Sequence, residues 1–140
     1  MLGVSGIVPG VLQSNVENEE ITVDGVKMFK LVPFYLLDGV NDQGVFCAEN
    51  LVPLDDKEEP TEEVVAKVEE KDRVCAAMLP RFILDKFGTA KEALDYLINY
   101  TTIYFGEEML QTDYQCHFIL GDATVTYIVE FINNEIKVIK

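Results

Sequence analysis

The sequence predicts an α+β fold in which antiparallel β-hairpins flank a central pair of helices. Three observations lead there. Asn/Asp/Gly turns at 41–44 and 133–134 join β-rich runs. Between them, 79–98 carries apolar residues at helical spacing, with Pro80 at its opening and Gly88 dividing it. Further on, 124–132 alternates with the two-residue period of a strand.

Taken in order, the first twelve residues are apolar and read as a strand that pairs elsewhere, although Gly6, Pro9 and Gly10 leave 3–18 without a clear period. Residues 20–29 read as a hairpin around Asp24-Gly25, a type I′ signal. A strand over 30–37 follows. Its apolar run (Val32, Phe34, Tyr35, Leu36, Leu37) enters the turn Asn41-Asp42-Gln43-Gly44, and a second strand leaves from Val45 to Val52, stopped by Pro53.

Residues 55–72 form an acidic linker or helix. Pro60 is followed by Thr61, which is placed to cap a helix carrying Glu62 and Glu63 in its first turn, where the helix dipole favours negative charge. Val64, Val65, Val68 and Cys75 supply a thin apolar stripe for it. The carboxylates lack the D-x-D-x-D-G spacing that focuses oxygens on one cation, so they read as a solvated face and no metal is predicted.

Pro80 belongs in the first turn of a helix, where its missing N–H is no loss. Leu79, Phe82, Ile83 and Phe87 then share one face, and Gly88 ends the helix. Thr89 and Glu92 form a capping box for the second helix, with Leu94, Leu97 and Ile98 as its buried stripe. Cys116 to Leu120 is a strand. In 124–132, Val125, Tyr127, Val129 and Phe131 share one face; Thr124, Thr126, Ile128, Glu130 and Ile132 share the other. Asn133-Asn134 turns the chain into a last strand at 135–139, because Asn tolerates positive φ.

Composition narrows the function classes. Residues 1–140 fit a single αβ domain, and 49% apolar content suffices for a packed core. A net charge of −14 excludes a nucleic-acid surface, which needs clustered Lys and Arg, and disfavours anionic membranes. No run approaches the roughly 20 apolar residues of a membrane span. The apolar N-terminal stretch lacks the positive opening of a secretory signal. Three cysteines, an odd number without C-x-x-C spacing, point to free thiols in a reducing, cytoplasmic setting. No cofactor motif is present: Gly39 and Gly44 lack the Lys and helix of a P-loop, and no G-x-S-x-G occurs.

Three blocks carry a family resemblance. Asp38 to Pro53, DGVNDQGVFCAENLVP, resembles the G-x-N-E-x-G-hydrophobic…N-x-P stretch of the choloylglycine hydrolases. Leu79 to Asp85 with Thr89 to Leu94 is similar to that family's LPRYLLD…T-x-x-E-A helices. His117 to Ala123 with Tyr127 to Ile132 is similar to its H-x-x-x-x-D…VVVE strands. The blocks stand in the family's order over roughly Phe29 to Lys140. The resemblance implies part of a layered αββα sandwich of the N-terminal-nucleophile (Ntn) hydrolase type, acting on linear amide C–N bonds, with an acyl amide as substrate.

It also implies what is missing. The family's nucleophile is an N-terminal cysteine whose free α-amine is the base, whereas this chain begins Met1-Leu2-Gly3 and has Cys47 as its first thiol. The family's Arg and Asp partners beside that cysteine have no counterpart here, and its later Asn and Arg belong to segments beyond the last strand pair. The isolated chain is therefore expected to be inactive.

One catalytic position is implied to survive. Relatives place an oxyanion donor near the end of the hairpin's second strand, and Asn50 is the match. Two residues separate it from Pro53 where relatives show one, and a one-residue slip turns a strand side chain to the other face. The alternative is a strand-end Asn bonding its own backbone. His117, the sole histidine, and Cys116 are adjacent on a strand and point to opposite faces, which disfavours a Cys–His dyad. The bland reading of all three thiols is inert packing.

The half-polar outer face of 124–132 calls for cover. Leaving Ile, Val and Phe wet costs roughly 1.5–3 kcal/mol each. Another copy of the chain, a complementary chain or a rearranged N-terminal segment is expected to cover it, a homodimer through that face being the prediction; a non-catalytic self-associating scaffold is the second function class.

Overall fold

The pairing of two distant stretches organises the molecule. In the computed structural model, which describes residues 2–4, 36–55, 60–65, 71–106 and 114–140, Phe46 lies opposite Gly121 and the ladder runs unbroken to Pro53 opposite Tyr114. In chain order the strands are β1 (Leu2–Val4), β2 (Asp38–Val40), β3 (Phe46–Pro53), β4 (Glu63–Val65), β5 (Asp72–Cys75), β6 (Thr101–Tyr104), β7 (Tyr114–Gly121), β8 (Thr126–Ile132) and β9 (Glu135–Ile139). Helices α1 (Leu79–Lys86) and α2 (Ala90–Tyr100) lie between β5 and β6.

Six strands make an antiparallel sheet in the order β1-β2-β3-β7-β8-β9. A second sheet has the order β4-β6-β5, with β4 antiparallel and β5 parallel to β6. The chain between β3 and β7 thus lays helices and small sheet over one face of the large sheet. Phe118 and Phe131 meet edge to face there at 5.6 Å, and Phe105 joins Phe131 at 5.5 Å. Leu79, Ile83, Leu97, Ile103 and Leu120 are fully buried around them. The observed class is α+β, with helices and small sheet layered on one side of the large sheet.

The helix pair forms as its sequence dictates. Pro80 falls in the first turn of α1, and Leu79, Ile83 and Leu84 are buried. Thr89 Oγ1 accepts from Glu92 N–H at 3.2 Å, capping α2. The buried stripe of α2 is Ala90, Ala93, Leu94 and Leu97; Ile98 is 42% exposed, one step off that face. The β8–β9 hairpin also agrees with expectation, with Asn133 and Asn134 both at positive φ (49° and 63°).

Two elements differ from the sequence reading. Where a helix was expected from Thr61, Glu63–Val65 is a strand, and Thr61 is buried with its hydroxyl donating to the Phe131 carbonyl at 3.0 Å. Val64 and Val65 are β-branched and find Ile103 and Thr102 as cross-strand partners, which outweighs an acidic first turn. The remainder of the 55–72 acidic segment is described only at 55, 60–65, 71 and 72. The strand entering the 41–44 turn is Asp38–Val40; of the strand expected over 30–37 only Leu36 and Leu37 are described, and these two are not in a strand. The hairpin expected at 20–29 lies outside the described residues, while Leu2–Val4 is a strand, paired with β2. Among the described residues no helix is long and apolar enough to cross a membrane.

Candidate functional site

Strand alternation sorts β3 and β7 into two chemically different faces. Cys47 and Glu49 of β3 and Cys116 and Phe118 of β7 point toward the helices. Phe46, Ala48, Asn50 and Val52 of β3 point away, with His117 and Ile119 of β7.

On the outward face four polar residues line up across four strands. Asn50 lies opposite His117, His117 opposite Glu130, and Glu130 opposite Lys137. Asn50 is exposed, whereas the His117 and Glu130 side chains are 28% and 31% exposed. His117 Nδ1 is 3.8 Å from Glu130 Oε1, beyond direct hydrogen-bond reach. Lys137 pairs with Glu135. Half-buried Phe46, Val52, Ile119, Ile128 and Ile132 surround this row. The arrangement offers an amide N–H donor at Asn50, with a histidine and a carboxylate beside it. It offers no nucleophile among the described residues.

The thiols are on the other side. Burial pushes the Cys47 thiol far above its ordinary range, and the nearby Glu49 charge adds to this. Cys116 is raised in the same way, by burial first and then by Glu49, with which it shares a hydrogen bond. Burial also raises the Glu49 carboxyl. Protonated and enclosed, Cys47 and Cys116 are poor nucleophiles. Cys116 is buried and His117 faces the opposite way, so no Cys–His dyad forms. None of the three cysteines is in a disulfide, and no group of three or more candidate metal ligands occurs among the described residues.

Two of the motif residues turn out to hold the scaffold together. Asn41 Oδ1 accepts from Gln43 N–H (3.1 Å) and Val45 N–H (3.0 Å), shaping the turn, while its Nδ2 donates to the carbonyls of Leu84 (3.1 Å) and Phe87 (2.8 Å) at the end of α1. Asp122 Oδ2 accepts from Ala90 N–H at the start of α2 (2.8 Å). Its Oδ1 accepts from the Thr124 N–H and hydroxyl and from Val125 N–H. Chiefly the Thr124 hydroxyl, and then these backbone donors, hold the Asp122 carboxyl down to about 2 from its ordinary 3.8. The two residues clasp both sides of the α1–α2 junction.

Sequence reading did not find a groove of about 460 Å³ between β5 and α1. All four residues of β5 line it, with Met78, Arg81, Phe82 and Tyr104. The available signal was the scarcity of arginine: Arg73 and Arg81 are the chain's whole complement, and both are here.

No family model matches the sequence, and no curated protein matches it at the sequence level. Among solved structures, the fold is similar to two variants of the conjugated bile acid hydrolase of Clostridium perfringens. Their TM-scores are 0.50 and 0.54 at 19% and 20% identity, each over 73% of this chain and 30% of the hydrolase. At that identity the likeness concerns the fold, and this chain spans about 30% of the length of the structures it matches.

Proposed function

We propose that this chain is the scaffold portion of a linear amide C–N hydrolase of the choloylglycine hydrolase type, contributing Asn50 as an oxyanion donor but no nucleophile. The fold likeness to conjugated bile acid hydrolase and the three motif blocks support the assignment. One observation supports the expectation that the isolated chain is inactive. The thiols of β3 and β7 are buried on the helix side, whereas Asn50 is exposed on the other, so donor and thiol cannot address the same carbonyl. An oxyanion donor lowers a barrier only where a nucleophile attacks. The substrate of the complete enzyme is an acyl amide, conjugated bile acids being the first candidates, and free thiols fit a cytoplasmic setting.

The test is direct. Purified chain incubated with glycine- and taurine-conjugated bile acids is expected to release no glycine or taurine above the buffer rate. Release that scales with protein concentration overturns the reading.

A second reading, a self-associating scaffold without catalysis, is favoured by the apolar outward face around Asn50, which the helices do not cover. In that reading two copies pair through this face. Light scattering at micromolar concentration then gives a dimer mass; a monomer mass removes it.

A further inference from the structure

The groove between β5 and α1 has a geometry the outward face does not explain. Successive residues of a strand point to opposite faces. The groove takes in all four residues of β5, Asp72 to Cys75, so it meets side chains of both faces of the strand. β5 is an edge of the small sheet among the described residues. The wall opposite is α1, through Arg81 and Phe82, and Tyr104 of β6 contributes a second ring.

The groove's charge is unusual for this chain. Amid 25 acidic residues, the two arginines converge on it. Arg73 stacks over the Tyr104 ring at 4.7 Å and gives one N–H to Glu63 at 2.9 Å. Arg81 gives its Nε–H to Asp85. A guanidinium has five N–H donors, so each pairing leaves others to offer. The Asp72 carboxylate at the groove is already taken up by Lys86 and by the Tyr96 hydroxyl (3.0 Å). Lys86 in turn sits over the Phe82 and Tyr96 rings at 4.9 and 4.3 Å. Acidic charge at the groove is thus compensated while guanidinium donors remain.

We infer that this groove binds an extended peptide segment carrying a carboxylate, which adds a strand to β5 while its carboxylate bridges Arg73 and Arg81. A sheet edge supplies main-chain donors and acceptors that a peptide backbone satisfies. Arginine forks suit a planar carboxylate better than lysines do. Phe82 and Tyr104 take an apolar side chain of the peptide. The assignment is independent of the amide-hydrolase reading, since it uses neither Asn50 nor a thiol.

Fluorescence polarisation tests it, with the full chain and a fluorescein-labelled Val-Ile-Phe-Glu peptide bearing a free C-terminus. Saturable binding is expected, weakened about tenfold or more by Arg73→Gln or Arg81→Gln and by replacing the peptide's carboxylates with amides. A backbone N-methylated peptide is expected to bind as weakly. Circular dichroism matching the parent chain verifies the variants' folding, and Arg73→Lys and Arg81→Lys, which keep the charge and lose the fork, are expected to fall between. No saturable binding at millimolar protein, equal affinity for the amide peptide, equal affinity in both glutamine variants, or equal affinity of the N-methylated peptide each overturns the proposal.

Discussion

Asn41 and Asp122 show how single side chains fasten this fold. Asn41 satisfies two carbonyls at the end of α1, where helix geometry leaves acceptors without intrahelical donors. Asn41→Ala is expected to lower unfolding stability by about 1–3 kcal/mol in urea denaturation, because partly buried carbonyls lose their donors. Asp122 satisfies the first N–H of α2, and its carboxyl is held down to about 2. Its folded value lies below its ordinary 3.8, so its contribution is complete above about 4 and is lost as pH falls toward 2. Urea midpoints across pH 2–5 are expected to fall with acid in the parent chain, and less steeply over that window in Asp122→Asn. Asp72, whose carboxyl is also lowered, chiefly by its bond from Lys86, acts in the same direction and leaves the variant a residual slope.

Between strands, the close pairing of β3 with β7 depends on Gly121. A Cβ there lies 2.5 Å from Phe46 Cζ and 2.9 Å from Thr126 Oγ1, so the Phe46 ring covers the space a side chain would take. Gly121→Ala is expected to cost about 1 kcal/mol or more, and combining it with Phe46→Leu to recover part of that loss, as urea midpoints report. This contact illustrates what the sequence makes legible. The α1–α2 pair and the β8–β9 hairpin were readable because their caps, stripes and turns are local: Thr89 with Glu92, Asn133 with Asn134. β4 was not, because Val64 and Val65 owe their strand to Ile103 and Thr102, far along the chain. β6 was missed although Thr101, Thr102 and Ile103 are a β-branched run, since it follows α2 without a turn residue. At the candidate site, the opposed facing of Cys116 and His117 followed from strand period alone. The row Asn50–His117–Glu130 and the meeting of Arg73 with Arg81 needed sheet register and tertiary placement.

Taken whole, the molecule carries a net charge of −14, and its exposed pairs, such as Lys91 with Asp95, add little stability each. Self-repulsion opposes the compact state, and salt screens it. Raising NaCl from low to physiological ionic strength is therefore expected to move the urea midpoint upward. The functional account rests on where the sulfur atoms lie. Mass spectrometry after brief iodoacetamide treatment of the native chain measures this most directly. The account predicts one adduct, on half-exposed Cys75, with Cys47 and Cys116 labelled only after denaturation. Rapid native labelling of Cys47 or Cys116, or acylation of either by an activated acyl ester, would contradict it.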